Sequence, residues 1–399
     1  MLSRAQVEKY ADVLLWGLAT SRAAPYTPGD VILLQFELPA LRLAEAVFAK
    51  LLARGLNPVP RLSLTTPMET AFFGKADEAQ LIFQTPGQDV LHEKLHGAMH
   101  LLAPDSLTHL SGIDPKRIAT AAVARKPLRD ILVRREEAGD FGWTLCLYPT
   151  AELARQSGMT SREYAAQVAE ACFLRESDPV AVWRRLYDEV NAIRAWLNSF
   201  RIVSLHVESA NVDLHVTPGE KRHWLGLSGH NIPSFEIFTS PDWRGTNGRY
   251  FADQPSYRSG NRIQGVRFTF VDGQVTEIAA EQGEDFARKQ LGMDAGASRL
   301  GEFSLTDRRF SRIGRFMANT LYDENFGGQN GNCHVAVGSS YSDTYDGDPR
   351  DLSAERKIEL GLNDSALHWD LVNTEPKRVR AHLTDGRDVT IYDGGQFTY

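Results

Sequence analysis

The sequence predicts two domains of different class. Residues 1–200 are expected to form an α/β domain with a mostly parallel sheet, and residues 201–399 a β-rich α+β domain with a barrel-like curved sheet. A chain of 399 residues is long for a single hydrophobic core. Strand and helix patterns alternate in the first half, whereas the second half has short strands separated by Asp-Gly and Gly-Gly turns. A helical tract at 160–200 separates the halves.

The first half begins with MLSRAQVEKYADVLLWGL, whose apolar stripe is interrupted by charged residues and predicts an amphipathic helix. DVILLQF (30–36) predicts a short strand, ALRLAEAVFAKLLARG (40–55) a helix, and NPVPRLSL (57–64) a second strand. Further strands are predicted in LIFQT (81–85), GAMHLLAP (97–104) and WTLCLYPT (143–150). This βαβ order is typical of an open sheet with mostly parallel strands. The sequence has neither GxGxxG nor GxxxxGK[ST], so nothing supports nucleotide binding by this sheet.

The second half contains short strand-like runs that end at turn residues. Asp-Gly between two such runs is a strong hairpin signal, and it occurs at 272–273 and 385–386. We therefore predict a β-rich domain. Its strands include IVSLHVES (202–209), VDLHVTP (212–218), GVRFTFVDGQVTEIAA (265–280) and the strands within 378–399.

Composition indicates a cytoplasmic globular protein. Hydrophobic residues make up 42% of the chain and charged residues 24%. A net charge of −7, without clustered Lys or Arg, argues against nucleic-acid binding. Cys146, Cys172 and Cys333 are few and odd in number, which suits a reducing compartment. No apolar run reaches the roughly 18 residues of a membrane span, and the N-terminus does not read as a signal peptide.

The most conspicuous short motif is HEKLH, residues 92–96. It matches HExxH, in which two histidines of one helix bind zinc and the glutamate acts as base, here His92, His96 and Glu93. The extended motif of the metzincins requires Gly where Met99 stands, and no third ligand is evident. We therefore expect a surface helix with Leu91 and Leu95 buried, and we keep a mononuclear zincin as an alternative.

A second group of ligand-type residues lies in the β-rich half. Side chains two apart on a strand share a face, so His368 and Asp370 in NDSALHWDLV point to the same side. Three other strand-like segments also place an acid or an imidazole within an apolar pattern: PSFEIFTSP, LGEFSL and NCHVAVG. The complete set is Glu236, Glu302, His334, His368 and Asp370.

Three carboxylates and two imidazoles are a suitable ligand set for a pair of divalent metal ions. In two-metal sites the ions lie about 3.5–4 Å apart and one carboxylate commonly bridges them. Without cations, three buried carboxylates would repel one another and some would remain protonated. The sequence therefore predicts a dinuclear metal centre, with zinc, cobalt and manganese all compatible with the ligands.

Four segments carry a resemblance to a known family. NIPSFEIFTSPD, LGEFSL, LYDENFGGQNGNCHVAVGSSY and NDSALHWDLV resemble the signature blocks of the M29 metalloaminopeptidases, the thermophilic aminopeptidase T/S group. The likeness extends to YADVLLWGL and to GDVILLQFELPALRLAEAVFAKLLARGLNPV, so it covers essentially the whole chain.

The resemblance implies specific roles. The five residues above match the family's metal ligands, Tyr341 matches its active-site tyrosine, and Glu324 matches an acid before the histidine block. We expect Glu302 to bridge the ions and Tyr341 to donate a hydrogen bond to the oxyanion. The sequence leaves open whether Glu302 or Glu324 is the general base.

The expected activity is metal-assisted removal of the N-terminal residue from peptides with a free N-terminus. The resemblance also implies a homodimer with an enclosed site, in which residues 1–200 cap the site or mediate dimerisation and residues 201–399 form the catalytic domain. Besides the zincin, a non-catalytic metal-binding protein remains an alternative at this point.

Overall fold

The structure is a computed structural model that describes residues 1–399 except for the side chain of Pro349. The chain divides into two compact units. The first unit comprises residues 1–185, 228–234 and 258–261, and the second comprises residues 186–227, 235–257 and 262–399. The predicted boundary at residue 200 between two domains stays a prediction.

The helices and strands are numbered along the chain. The α-helices are α1 (Arg4–Thr20), α2 (Leu41–Ala53), α3 (Thr66–Lys75), α4 (Glu78–Leu81), α5 (Gln88–Lys94), α6 (Pro115–Glu137), α7 (Ala151–Gln156), α8 (Ser161–Ala171), α9 (Pro179–Asn198), α10 (Glu284–Leu291), α11 (Thr320–Asp323) and α12 (Ala354–Glu359). Short 3₁₀ turns are formed by Leu38–Ala40, Trp243–Gly245, Ser342–Thr344 and Pro349–Asp351.

The strands fall into the two halves as follows. The first-half strands, and those leading into the second half, are β1 (Val31–Phe36), β2 (Asn57–Leu62), β3 (Gly97–Leu102), β4 (Gly142–Leu147), β5 (Ile202–Glu208), β6 (Asp213–Val216), β7 (Leu225–Gly226), β8 (Asn231–Ile232) and β9 (Glu236–Thr239). The remaining strands are β10 (Asn247–Ala252), β11 (Ser256–Arg258), β12 (Asn261–Ile263), β13 (Val266–Val271), β14 (Gln274–Ala279), β15 (Leu300–Thr306), β16 (Asn332–Gly338), β17 (His368–Asn373), β18 (Arg378–Leu383), β19 (Asp388–Asp393) and β20 (Gln396–Phe397).

The first unit contains a five-stranded parallel sheet in the order β2-β1-β3-β4-β8. Helix α1 begins at a capping box in which Ser3 and Gln6 satisfy each other's backbone N–H groups. Its residues Tyr10 and Leu14 are fully buried, and α2 likewise buries Leu43 and Leu51. The prediction of a parallel α/β region is thus confirmed, including its N-terminal amphipathic helix and the strands at 31–36, 57–62, 97–102 and 142–147.

One predicted strand is wrong. In the segment 81–85, Leu81 ends helix α4 and the following residues form no strand. Asp77 and Gln80 form a capping box that starts this short helix. Ile82 and Phe83 are 50% and 67% exposed, so the apolar run does not contribute a core strand.

The second unit contains antiparallel sheets. An eight-stranded sheet has the order β14-β13-β10-β6-β5-β18-β19-β20, and a five-stranded sheet has the order β17-β16-β15-β9-β7. The Asp272-Gly273 turn joins β13 and β14 with φ values of +47° and +78°, as a two-residue hairpin turn with both central φ positive requires. The β-rich region is therefore confirmed. Each of these two sheets is open, with an edge strand on either side, and does not close into a barrel. The predicted barrel-like curvature is therefore not confirmed.

In the five-stranded antiparallel sheet of the second unit, strands β15 and β16 are buried on both faces. Every residue of β15 and of β16 is buried. On one face lie apolar side chains such as Phe303, Leu305 and Val335, all with no exposed surface. The opposite face carries polar side chains that are equally withdrawn from water, and burial of polar groups is costly unless they have partners. This polar face is where a functional site is expected.

Among the described helices, none combines the length and the apolar character needed to cross a membrane.

Gly338 ends strand β16 with φ at +108°, and a Cβ atom there would lie 2.1 Å from the Leu367 carbonyl oxygen. We predict that Gly338→Ala lowers the unfolding free energy of the second unit by about 3 kcal/mol or more, since backbone strain and a backbone clash add.

The matched control is Gly386→Ala in the same unit. Gly386 has φ at +84° but no atom within 4 Å of its Cβ position, so only strain of about 1 kcal/mol is expected. Differential scanning calorimetry compares the two variants. Equal losses of stability would contradict the assigned clash.

Candidate metal centre

The five-stranded antiparallel sheet of the second unit carries charged side chains from four of its strands on one face. Directly paired residues of antiparallel strands have their side chains on the same face. Ala336 of β16 pairs with Glu302 of β15 on one side and with Asp370 of β17 on the other. Gly338 pairs with His368 in the same way. The small side chains of β16 thus leave space between the acids and the imidazole of the flanking strands.

The remaining two ligand candidates follow from the same register. Ser304 of β15 pairs with His334 of β16, and Thr306 pairs with Glu236 of β9. Because Ser304 and Thr306 alternate with Glu302 along β15, His334 and Glu236 lie on the same face as Glu302. The sheet therefore brings together all five residues that the sequence predicts as metal ligands.

These side chains form two triads that share Glu302. In the first triad, His334 Nε2 lies 3.1 Å from Glu302 Oε1 and 3.4 Å from Glu236 Oε2. In the second, His368 Nε2 lies 3.6 Å from Glu302 Oε2 and 3.3 Å from Asp370 Oδ1. The two oxygens of Glu302 therefore face different imidazoles.

The spacing of the donor atoms fits a bound cation. Zinc bonds to imidazole nitrogen and carboxylate oxygen are about 2.0–2.2 Å long, so two donors of one tetrahedral ion lie roughly 3.3 Å apart. The four nitrogen–oxygen distances in the triads run from 3.1 to 3.6 Å. In each triad the donor atoms lie within 4.8 Å of one another. The residues present thus fit a metal ion in either triad.

The orientation of His368 is fixed by the backbone. Its Nδ1 lies 2.8 Å from the carbonyl oxygen of Ser339, which can only accept a hydrogen bond. Nδ1 therefore carries a proton and donates it, which directs Nε2 towards the carboxylates as a ligand nitrogen. The Nδ1 atom of His334 is buried and has no hydrogen-bond partner among the described groups. His334 is thus held through its Nε2 contacts.

Burial and nearby charges shift the pKa values of Glu236 and of both imidazoles in the centre. Burial raises the pKa of Glu236 to about 7, with His334 opposing and the charges of Glu302 and Asp370 adding to the rise. Burial disfavours the charged form of His334, but the hydrogen bond with Glu302 and the nearby acids raise its pKa to about 9. The pKa of His368 likewise rises to about 9, despite burial, because of Asp370 and Glu302. In the absence of cations, protons on these groups reduce the repulsion between the buried carboxylates.

Glu324 and Tyr341 lie beside the triads without belonging to them. Glu324 follows α11 and is buried, and burial together with the charges of Glu236 and Asp370 raises its pKa well above the usual range. Tyr341 is 42% exposed, while its ring makes an edge contact with the His368 ring at 4.8 Å. Desolvation and the charge of Glu302 raise the pKa of its hydroxyl, which therefore remains a proton donor.

The HExxH residues do not form a metal site. Helix α5 ends at Lys94, so His96 lies beyond the helix that carries His92. His92 Nδ1 lies 2.6 Å from the carbonyl oxygen of Gln88, whereas His96 Nδ1 accepts a hydrogen bond from the backbone N–H of Val31. Glu93 is 3.5 Å from Arg134. The two histidines thus face different partners, and the motif matches by chance.

The structure adds contributions that the sequence analysis did not identify. The Ser304 hydroxyl donates to Glu236 Oε2 at 3.3 Å, the Ser339 carbonyl orients His368, and Ala336 gives the ligands space. Strand alternation already placed Ser304 beside Glu302, so its contact could have been found. A backbone carbonyl such as that of Ser339 leaves no signal in the sequence.

Comparisons with known proteins show which family and which solved structure the chain resembles. The family model described as thermophilic metalloprotease (M29) matches residues 3–397. The chain is 30% identical over 324 residues to aminopeptidase 2 of Geobacillus stearothermophilus, covering 76% of this chain and 75% of that one. It is 30% identical over 307 residues to aminopeptidase T of Thermus aquaticus, covering 72% and 73% respectively. The solved structure of wild-type AmpT from Thermus thermophilus superposes with a TM-score of 0.80 at 22% identity, covering 98% of this chain and 100% of that one.

The raised pKa values predict that metal binding releases protons. Both imidazoles, with pKa values of about 9, are charged at pH 7 in the metal-free protein and must lose a proton to ligate. Glu236, whose pKa is about 7, is about half protonated at that pH and must also be deprotonated to ligate. We expect saturation of the centre with Zn²⁺ at pH 7 to release roughly two to three protons per chain, and metal affinity to fall as the pH is lowered. Calorimetric titrations in buffers of different ionisation enthalpy measure the release.

The control is His92→Asn, which should release the same number of protons because His92 lies outside the centre. Zinc binding without proton release would show that the two imidazoles are not ligands.

Proposed function

Because the chain belongs to the thermophilic metalloprotease (M29) family, we propose that its metal-dependent aminopeptidase activity uses two divalent ions held by the five-stranded sheet. The observation that carries the proposal is the position of Glu302 between two imidazoles, with Oε1 at 3.1 Å from His334 and Oε2 at 3.6 Å from His368. Glu236 completes the first set of ligands and Asp370 the second. Zinc, cobalt and manganese are all compatible with such mixed ligands.

Bound divalent ions would supply two effects, since they lower the pKa of a coordinated water from roughly 15.7 towards about 7 and polarise the peptide carbonyl. The protein's own residues supply the rest. Both carboxylate oxygens of Glu302 serve as ligands in this proposal, so another acid must carry the proton. Glu324 is buried beside the triads with a raised pKa, so it suits transfer of a proton from water to the leaving amine.

Tyr341 is proposed to stabilise the transition state. Its hydroxyl keeps its proton because desolvation and the nearby carboxylates raise its pKa. A proton donor at this place can bond the oxyanion that develops when the carbonyl carbon becomes tetrahedral. Its ring packs edge-on against His368 and against Phe238, with centroids 4.8 and 5.8 Å apart. These contacts restrict the position of the hydroxyl.

The acidic character of the centre favours peptides with a free N-terminus. Glu236, Glu302 and Glu324 are buried at the centre, and the side chain of Asp370 is only 14% exposed. A protonated α-amino group gains from pairing with such a carboxylate, whereas an internal peptide bond offers no positive charge. This supports removal of N-terminal residues over cleavage within the chain.

We further propose a cytoplasmic homodimer formed through the first unit. Large apolar side chains are exposed there, each at least half exposed, among them Leu62, Leu64, Met68 and Phe83. Burying them against a second copy would remove this surface from water. A monomer in sedimentation experiments at micromolar concentration would contradict the proposal.

The dinuclear centre is tested by metal content. Wild-type protein is expected to hold about two ions per chain, and His368→Ala and Glu302→Gln sharply fewer, with hydrolysis of leucyl-p-nitroanilide falling in parallel. Atomic emission spectrometry of dialysed protein gives the content. One ion in wild type, or an unchanged content in His368→Ala, would contradict a two-metal centre.

Two further variants separate the roles of the acids. Glu324→Gln should keep the metal content of wild type while losing most of its kcat, because Glu324 belongs to neither triad. Glu93→Gln is the control, since Glu93 pairs with Arg134 outside the centre, and both its metal content and its activity should match wild type.

Tyr341→Phe removes the proposed oxyanion donor and keeps the ring. We expect kcat to fall about 100- to 1000-fold with little change in KM or metal content, as for loss of one such donor. Tyr345→Phe is the matched control, because Tyr345 lies in the same segment but hydrogen-bonds Arg356. An unchanged kcat in Tyr341→Phe would remove Tyr341 from the mechanism.

A further inference from the structure

A second group of metal-binding side chains lies on the eight-stranded sheet. His206 of β5 pairs directly with His215 of β6, and Asp213 lies two residues before His215 on the same face. The two imidazole rings are stacked with centroids 4.2 Å apart and planes inclined by 8°. The strands that carry this group differ from all four strands of the proposed catalytic centre.

The donor atoms of this group converge. His206 Nε2 lies 2.8 Å from Asp213 Oδ1, and one donor atom of each of the three residues lies within 4.8 Å of the others. The side chains of His206 and Asp213 are 24% and 58% exposed, so an ion can reach them from solvent. We propose that His206, Asp213 and His215 form a separate surface site for a transition-metal ion.

The ligand set determines which ions this surface site takes. Two imidazoles and one carboxylate suit Zn²⁺, Ni²⁺ or Cu²⁺, whereas Mg²⁺ and Ca²⁺ prefer oxygen ligands throughout. Three protein ligands leave the remaining coordination positions to water. The surface site therefore binds borderline transition metals and discriminates against the alkaline-earth ions.

Only small movements are needed to close the surface site around an ion. Donors of one tetrahedral zinc ion lie roughly 3.3 Å apart, and the present donors lie within 4.8 Å of one another. Asp213 and His215 are exposed, so their side chains can change rotamer without disturbing a core. The cross-strand pairing of His206 with His215 holds the backbone in place meanwhile.

Arg380 disfavours binding of an ion to His206 because it favours the tautomer whose proton is on Nε2. Its guanidinium donates to His206 Nδ1 at 3.3 Å, so a neutral His206 has its proton on Nε2 and donates it to Asp213. An ion at Nε2 requires that this proton move to Nδ1, where it needs an acceptor. Glu208 Oε2 lies 3.8 Å from Nδ1 and is now bound by Arg380 at 2.8 Å.

This arrangement predicts opposite effects of two neighbours. Removing Arg380 also removes a positive charge beside the ion and frees Glu208 to accept from Nδ1–H, which gives the carboxylate–histidine–metal arrangement common in metal sites. Arg380→Gln should therefore tighten metal binding at the surface site. In the Arg380→Gln background, a second change Glu208→Gln should weaken it about 10- to 100-fold, the usual effect of losing such an outer partner.

The experiment is equilibrium dialysis of the metal-loaded full-length protein against Zn²⁺ in the micromolar range. Wild type is expected to take up one ion per chain beyond those of the catalytic centre, and His215→Asn to lose this uptake. The matched control is His382→Asn. His382 is an exposed histidine of the same sheet that pairs with Asp388 at 2.9 Å but belongs to no group of three ligands, so this variant should bind zinc as wild type does.

Several outcomes would overturn the proposal. They are absence of the additional ion in wild type, its retention in His215→Asn, its equal loss in His382→Asn, or weaker uptake in Arg380→Gln. Thermal unfolding of each variant shows whether it is folded, and substitution of exposed side chains should leave it so. None of these outcomes bears on the metal content of the His368→Ala and Glu302→Gln variants, which tests the catalytic centre separately.

Discussion

The second unit depends on compensating a concentration of buried negative charge. Three acids are each at most 7% exposed and lie close enough to repel one another: Glu236, Glu302 and Glu324. The imidazole of His334, which is almost completely buried, lies beside them. Such a cluster is stable only if protons or cations neutralise it. The raised pKa values of Glu236, Glu324 and the two imidazoles mean that protons supply this neutralisation when no cation is bound. Replacing protons by divalent ions would keep the same side chains in place and convert an electrostatic cost into a binding site.

The register of the sheet makes this concentration of charge possible. Strand β15 lies between β9 and β16, and β16 lies between β15 and β17, so four strands contribute side chains to one face. Ala336 and Gly338 keep the middle of that face free of bulk. The opposite face is buried and mostly apolar, and its packing holds the strands in register because a slip by one residue would exchange the two faces.

The two groups of candidate metal ligands in this chain show how burial changes the same chemistry. The proposed catalytic centre combines imidazoles with carboxylates that are largely withdrawn from water, so protons or metal ions must offset their charge. In the surface group, Asp213 is more than half exposed and water screens the charges. The proposed metal affinity of this surface group would then depend on neighbours such as Arg380, which contacts His206 and Glu208.

The sequence by itself determined the secondary structure of most segments and the face on which each ligand lies. Alternation along LGEFSL, NCHVAVG and SALHWDL placed Glu302, His334, His368 and Asp370 opposite apolar neighbours, and the Asp-Gly turn at 272–273 predicted its hairpin. Alternation and turn chemistry are local, so they are visible in the chain. Local pattern gave the wrong prediction for LIFQT, because the capping box formed by Asp77 and Gln80 starts a helix that includes Leu81. It also could not show that α5 ends before His96. Only the tertiary structure decided which strands are neighbours, that Glu302 lies between both imidazoles, and that His206 stacks on His215. These are contacts between residues distant in sequence, and they follow from the packing of the sheets and not from the order of the residues.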